Sequence, residues 1–189
     1  MKQRLVIGIS GASGAPLAVA LLKALKDTDI ETHVMITHGG ELTLQQECGM
    51  DSIAELADVV YDNHDIGAGP ASGSFKTMGM IVIPCSMKTV AGIHSGYSDN
   101  LLLRAADVTL KEHRKLVLVA RETPFSSIHL RNLYELSMMG VTIVPPMLSY
   151  YQKPETLDEV THHIVCKVLD QFDIEVPKFH RWEGLISEA

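Results

Sequence analysis

Along this chain, short and almost continuous apolar runs alternate with longer stretches whose apolar residues recur at helical spacing. Residues 5–10 (LVIGIS) predict a buried strand, followed by a glycine turn and a helix from about Pro16. Residues 31–36 (ETHVMI) predict a second strand, leading into a helical stretch over about 41–47. The run 80–83 (MIVI) predicts a third strand that Pro84 is expected to stop, with a helix opening at Ser86. An amphipathic helix then spans about 99–113, and residues 115–120 (KLVLVA) form a strand. A helix over 126–139 is ended by Gly140, and a strand over 141–144 is stopped by Pro145 and Pro146. Thr156 and Glu159 form a capping box for a last helix, whose apolar residues Val160, Ile164, Val168 and Phe172 keep helical spacing.

Strands that read as unbroken apolar runs are buried on both faces, and strands separated by helices pair in parallel. The pattern therefore predicts one α/β domain over residues 1–189, a three-layer Rossmann/flavodoxin-like parallel sheet flanked by helices. Residues 62–80, rich in glycine and serine and without a period, are too long for an idle connection and form a candidate binding loop. Residues 5–22 carry no charge and follow Lys2 and Arg4, which imitates a signal peptide or a short membrane span. Gly8, Gly11, Gly14 and Pro16 interrupt that stretch, so it is assigned to strand, turn and helix instead.

Sixteen basic against 23 acidic residues give a formal charge of -7. A chain of that sign is repelled by phosphodiester backbones and anionic headgroups unless its cations are gathered locally, so neither nucleic acid nor membrane is expected as a partner. Cys48, Cys85 and Cys166 are odd in number and include no C-x-x-C, which supports neither a disulfide framework nor a zinc ribbon and suits a cytoplasmic setting. The nine histidines offer no H-E-x-x-H, and no metal is expected.

In open parallel sheets, ligands bind beyond the carboxyl ends of the strands. The first strand delivers Gly11-Ala12-Ser13-Gly14 to a helix start, where free N–H groups and the helix dipole attract an anion. The same glycines would serve a turn that only packs helix on strand. Their G-x-x-G-x-x-G spacing differs from the dinucleotide fingerprint, and the second strand ends at Ile36-Thr37 without an acid for a ribose, so NAD is disfavoured. The third strand end gives Pro84-Cys85-Ser86-Met87-Lys88-Thr89, with hydroxyls and one cation at another helix start. Cys85 has no evident base beside it and reads as a small buried residue. Arg121-Glu122-Thr123-Pro124 suits either phosphate binding with proton transfer, or a salt bridge and a turn.

Arg104 and Lys111 share one helix face at about 10 Å, with Asp107 between them; spacing alone favours an ordinary solvated charge ladder. Lys167 sits late in the last helix, where a cation is favourable anyway. Tyr150 and Tyr151 either cover a pocket or merely pack, and Glu47, at a helix end, carries no signal alone.

Taken in order, GISGASGA near the start, PASGSF at 70–75, PCSMKT at 84–89, NLLLRAADVTLKE at 100–112 and RETPFSSIHLRN at 121–132 resemble the UbiX-type flavin prenyltransferases. PPM at 145–147, the tyrosine before Gln152-Lys153-Pro154, and LDQF at 169–172 extend the resemblance over essentially the whole chain. Older naming for close relatives is phenylacrylic or phenolic acid decarboxylase subunit. The resemblance implies a metal-independent transferase that binds reduced FMN and joins a dimethylallyl group from dimethylallyl monophosphate to flavin N5 and C6. It also implies a prenylated FMN product used by a UbiD-type decarboxylase, and a homododecamer with sites at subunit junctions.

By the same motifs, Gly11, Ala12, Ser13, Thr37, Ser86, Met87, Lys88, Thr89 and Arg121 are expected to bind FMN. Ser72, Arg104, Lys111, Glu122, Tyr151 and Lys167 are expected around the substrate phosphate, Lys167 standing where many relatives have arginine. The implied chemistry makes Glu122 the proton donor to the leaving phosphate, with Lys111 among the stabilising cations, and Glu47 with Ser13 the relay for the flavin ring proton. Arg104, Lys111, Arg121 and Lys167, with Lys88 on the flavin side, are expected to converge on one small phosphate ligand. Trp182 matches a tryptophan near the C-terminus, whereas Ile66 stands where some relatives carry one. Two rivals are a flavin-dependent cysteine decarboxylase and a non-catalytic flavin carrier. The first typically shows P-A-S-A-N-T and P-x-M-N-x-x-M-W, from which Pro70-Ala71-Ser72-Gly73-Ser74 and Pro145-Pro146-Met147-Leu148 depart.

Overall fold

Six strands form one parallel sheet: β1 (Gln3–Ile9), β2 (Ile30–Ile36), β3 (Val59–Tyr61), β4 (Gly79–Cys85), β5 (Lys115–Ala120) and β6 (Thr142–Ile143). Their order is β3-β2-β1-β4-β5-β6, the arrangement of Rossmann-type sheets, with the direction of winding reversing between β1 and β4. The helices are α1 (Ala15–Leu25), α2 (His38–Cys48), α3 (Met87–Ser95), α4 (Leu101–Lys111), α5 (Ser127–Met138) and α6 (Leu157–Asp170). This computed structural model describes residues 2–177 together with 179, 181, 182 and 184.

Successive side chains of a strand point to opposite faces, and that parity builds two separate cores. Leu5, Ile7 and Ile9 of β1, Ile81 and Ile83 of β4, and Val117 and Val119 of β5 meet α1 and α6 on one face. Val6, Met80, Val82, Leu116 and Leu118 meet α3, α4 and α5 on the other. Leu21 and Leu22 of α1 and Leu101 and Leu102 of α4 are fully buried, each such side chain stabilising the fold by about 1.5–3 kcal/mol. Because α4 and α6 belong to different layers, side chains on their outer surfaces are separated by the whole sheet.

Local details differ from the sequence pattern in four places. β3, which the pattern of apolar runs does not mark, is a three-residue edge strand paired with β2. Pro84 does not stop β4, because the register shifts between Val82 and Cys85 and the missing N–H falls at that irregularity, after which Cys85 pairs with Ala120. α2 starts at His38, earlier than the apolar pattern, since the Thr37 hydroxyl caps it by accepting the Gly40 N–H at 3.1 Å. Phe172 lies past the end of α6 and is buried there.

His33 of β2 is 3% exposed, with Nδ1 2.8 Å from the Tyr61 hydroxyl and Nε2 3.6 Å from a Glu31 carboxylate oxygen. Burial lowers its pKa from 6.5, aided by nearby Arg4 and only partly opposed by Glu31 and Asp58. The folded state thus favours the neutral imidazole. Its contribution to stability is complete above pH 6.5 and is lost as pH falls through the depressed folded value. The urea midpoint is therefore expected to drop between about pH 7.5 and about pH 5.5, and to drop less in His33→Gln. Equal drops in the two proteins would assign the acid sensitivity elsewhere.

Candidate functional site

The carboxyl edge of the sheet is stitched together at the winding reversal. Ser10, at the end of β1, donates its hydroxyl to the Pro84 carbonyl at 3.0 Å and accepts the Ser86 N–H at 2.8 Å, tying β1 to β4. Thr37 N–H donates to the Ile9 carbonyl at 2.9 Å, which ties β2 to the same point, and Arg121 N–H donates to the Cys85 carbonyl at 3.1 Å. Gly11 faces the backbone of Gly39 so closely that a Cβ would lie 2.8 Å from it, so only glycine lets the 11–14 turn rest on the start of α2.

Three junctions of strand and helix therefore share one crevice: residues 11–14, 37–40 and 86–89. Thr37 and Ser86 place hydroxyls there as helix caps. Ser86 Oγ accepts the Thr89 N–H at 3.3 Å and lies 3.1 Å from the Thr89 hydroxyl. Met87 is buried, and Lys88 is exposed on the first turn of α3. Glu122 turns one oxygen to the Thr123 N–H at 3.0 Å. Among the described residues it forms no ion pair with Arg121, so the simple salt-bridge reading of this segment does not hold.

The start of α1 holds a surprise of charge. Its amides are not free for a ligand anion: Gly14 N–H and Ala15 N–H donate to Glu47 Oε2 at 2.8 and 2.9 Å. The chain supplies its own anion from the end of α2. Burial opposes ionisation of Glu47. The hydrogen bonds from Gly14, the Ser13 hydroxyl and Ala15, with the Arg121 charge, outweigh burial and lower its pKa below 4.5. Cys85, by contrast, is wholly buried and its thiol is pushed up by that burial, which matches a packing role.

The remaining candidates lie on α4, on the segment beside it, and on and around α6. The segment 62–78 starts from the carboxyl end of β3 and lies along α4. Leu101 and Leu102 amides donate to Asn63 at one end, Arg104 Nε donates to the Ala71 carbonyl at 3.2 Å midway, and Arg114 donates to the Gly73 and Phe75 carbonyls at the other. Phe75 in turn sits under Arg4 at the start of β1, so Ser72 and Lys111 lie toward the amino edge of the sheet. Tyr151 and Trp182 pack edge to face at 5.4 Å, and Tyr151 meets His163 of α6 at 6.1 Å. Lys167 lies one turn further along α6, half exposed. Ile66, 62% exposed, is on the α4 segment.

Within one chain the expected phosphate cations consequently do not converge. Arg121 and Glu122 follow the end of β5, whereas Lys111 precedes its start; six residues of strand separate them by roughly 20 Å. Arg104 and Lys167 lie on opposite faces of the sheet. A concavity of about 680 Å³ beside the first half of α6, lined by Gln152, Lys153, Asp158 and His163 among others, contains none of the candidates. Among the described residues no cluster suits a metal ion, and no helix is long and apolar enough to cross a membrane.

The sequence matches the model of the Flavoprotein family over residues 1–186. It is 53% identical over 185 residues to a probable UbiX-like flavin prenyltransferase of Escherichia coli O157:H7, which covers 96% of this chain and 94% of that protein. Two solved structures share the fold closely. A dodecameric FMN-dependent UbiX-like decarboxylase from Escherichia coli O157:H7 superposes with a TM-score of 0.95 at 52% identity, over 96% of this chain and all (100%) of the other. AnUbiX (PadA1), in complex with FMN and dimethylallyl pyrophosphate, gives a TM-score of 0.94 at 44% identity, over 98% of this chain and 100% of that one.

Proposed function

Since the chain belongs to the Flavoprotein family, and within it to the UbiX-like flavin prenyltransferases, we propose that it transfers a dimethylallyl group from dimethylallyl monophosphate to reduced FMN, at a site completed between copies of the chain. The observation that carries this reading is the crevice at the winding reversal, where three strand–helix junctions meet beside an ionised carboxylate. Its donor set suits a flavin mononucleotide. Thr37 and Ser86 each accept a helix amide and still hold a hydroxyl proton, and Lys88 and Arg121 add charge. Gly11, Ala12, Ser13, Met87 and Thr89 complete the wall on which the isoalloxazine and its ribityl phosphate would rest. When bound, reduced FMN supplies the nucleophilic ring that accepts the prenyl group.

Glu122 would give a proton to the departing phosphate, and Lys111, Arg104, Lys167, Tyr151 and Ser72 would hold it. Ser13 bridges Glu47 and the crevice, so its hydroxyl would hand a ring proton to a carboxylate that is already ionised. Because the phosphate-binding groups lie on three sides of one chain, they would gather only when the α4 surface of one copy, the strand ends of another and an α6 surface meet. A homododecamer of the kind seen in the relative from Escherichia coli O157:H7 would supply such junctions. The product, prenylated FMN, would pass to a UbiD-type decarboxylase, and three unpaired cysteines suit the cytoplasm.

The test is to mix the protein anaerobically with reduced FMN and dimethylallyl monophosphate and weigh the flavin. Its mass is expected to rise by one prenyl unit, with release of inorganic phosphate. An unchanged flavin mass while both ligands bind would overturn the reading in favour of a carrier.

A further inference from the structure

Ser72, expected at the substrate phosphate, is presented by two consecutive turns. Ser72 N–H donates to the Gly69 carbonyl at 3.0 Å, and Phe75 N–H donates to the Ser72 carbonyl at 3.1 Å. The Phe75 side chain forms the floor of both turns, since a Cβ on Gly69 would lie 2.8 Å from its ring. The same turns set Arg104, whose Nε donates to the Ala71 carbonyl at 3.2 Å while Nη1 donates to Asp107 Oδ2 at 2.6 Å. Whatever holds the Phe75 ring therefore holds two of the groups expected at the phosphate.

What holds it is a titratable cluster on the sheet. His33 pairs beside Val6 in the register of β1 and β2, so its ring points to the face that carries α4. It meets the Phe75 ring edge to face at 5.1 Å and stacks on Tyr61 at 5.8 Å. Arg4 places its guanidinium carbon 4.6 Å from the centroid of Phe75. Around the imidazole stand Glu31 of its own strand, Arg4 of β1, Asp58 ahead of β3 and Tyr61 of β3. Nδ1 is bonded to the Tyr61 hydroxyl, whereas Nε2 is buried without a hydrogen bond. Glu31 Oε2 lies 3.6 Å from Nε2, too far for one, and is the same oxygen that accepts Arg4 Nε at 3.2 Å.

We propose that His33 is a positioning residue for the substrate end of the site, and that through it acidity weakens the grip on the allylic phosphate. The neutral ring supports Phe75 beneath the Ser72 turns; the protonated ring disturbs it. This rests on the prenyl-transfer reading above. A second proton makes both ring nitrogens donors. Nε2–H then competes with Arg4 for the Glu31 oxygen, so the contacts of His33 and of Arg4 with Phe75 are altered together. Burial, aided by Arg4, outweighs Glu31 and Asp58 and keeps the ring neutral near neutral pH. The FMN crevice begins at Thr37, four residues further along and roughly 13 Å away, so the effect falls on the phosphate and not on the flavin. The coupling is reciprocal: bound substrate makes His33 harder to protonate.

The experiment measures KM and kcat for dimethylallyl monophosphate between about pH 7.5 and about pH 5, anaerobically with saturating reduced FMN, in wild type and His33→Gln. Glutamine stays uncharged across that range and can keep a hydrogen bond to Tyr61. Dividing the wild-type KM by that of His33→Gln removes the ionisation of the substrate and of every group common to both proteins. This quotient is expected to rise about fivefold toward the acid end, while the corresponding quotients of kcat and of the FMN dissociation constant stay level. In Phe75→Leu, which lacks the ring on which His33 acts, the same His33→Gln comparison is expected to give a level KM quotient. A level quotient with Phe75 present, or a rise that survives in Phe75→Leu, would overturn the proposal. If His33→Gln does not fold, wild type divided by Phe75→Leu carries the same expected rise, and its absence the same refutation. Failure of wild type to prenylate FMN at about pH 7.5 would instead overturn the underlying reaction, and this assignment with it.

Discussion

Replacing Glu122 by glutamine is expected to lower kcat for prenyl transfer by about 10²–10⁴-fold while FMN binding changes by less than about twofold. The carboxyl group stands at the end of β5, partly buried, with one oxygen already accepting the Thr123 N–H at 3.0 Å. That bond fixes its direction and leaves the second oxygen to carry a proton. Glutamine has the same shape. Its carbonyl retains the Thr123 bond and its amide still donates a hydrogen bond to a phosphate oxygen, so ground-state binding survives. What it lacks is a transferable proton, and an allylic monophosphate dianion that breaks its C–O bond without one must release phosphate as the trianion instead of the protonated dianion. The loss should accordingly fall on kcat and not on KM. Single-turnover phosphate release with preloaded reduced FMN measures it directly, and wild-type release by Glu122→Gln would remove Glu122 from the donor's role.

The order of elements was legible in the sequence because each strand was a short apolar run and each helix had its own start signal. The box formed by Thr156 and Glu159 and the cap Ser86 are both present where the sequence placed them. β3 was not legible, since three residues at a sheet edge carry too little pattern to stand out. Pro84 misled because a proline marks the end of a strand only when the ladder needs its N–H, and the register shift removes that need. The sheet edge that carries the crevice could be read by rule, from the parallel order alone.

The charge logic was harder to read. Glu47 reaches Gly14 across 33 positions, a contact made by the packing of α2 on α1, and no local spacing announces it. The seven-residue spacing of Arg104 and Lys111 correctly put them on one helix, yet it could not say that Lys111 turns to its neighbour Glu112. Nor does a family motif disclose that matched residues lie on different sides of the same chain. Only the parity of the strands, which assigns α4 and α6 to opposite layers, makes that plain.

Assemblies mixed from Lys111→Ala and Glu122→Gln chains are expected to recover activity that neither variant shows alone, reaching about a quarter of wild type for equal amounts. Lys111 and Glu122 sit beyond opposite ends of β5, roughly 20 Å apart, and one phosphate cannot touch both within a chain. If both act on it, they come from different copies through a head-to-tail contact. Each junction then draws its α4 surface and its strand ends independently, and about one in four is intact at both. The control is a mixture of Arg121→Ala with Glu122→Gln. These residues are adjacent, so every copy brings a damaged strand end and no junction is repaired. Recovery in the first mixture and none in the second, read as prenylated FMN formed after co-expression, would establish the shared site. No recovery in either would mean that Lys111 and Glu122 do not serve the same ligand, since the geometry of a single chain leaves them no other way to meet.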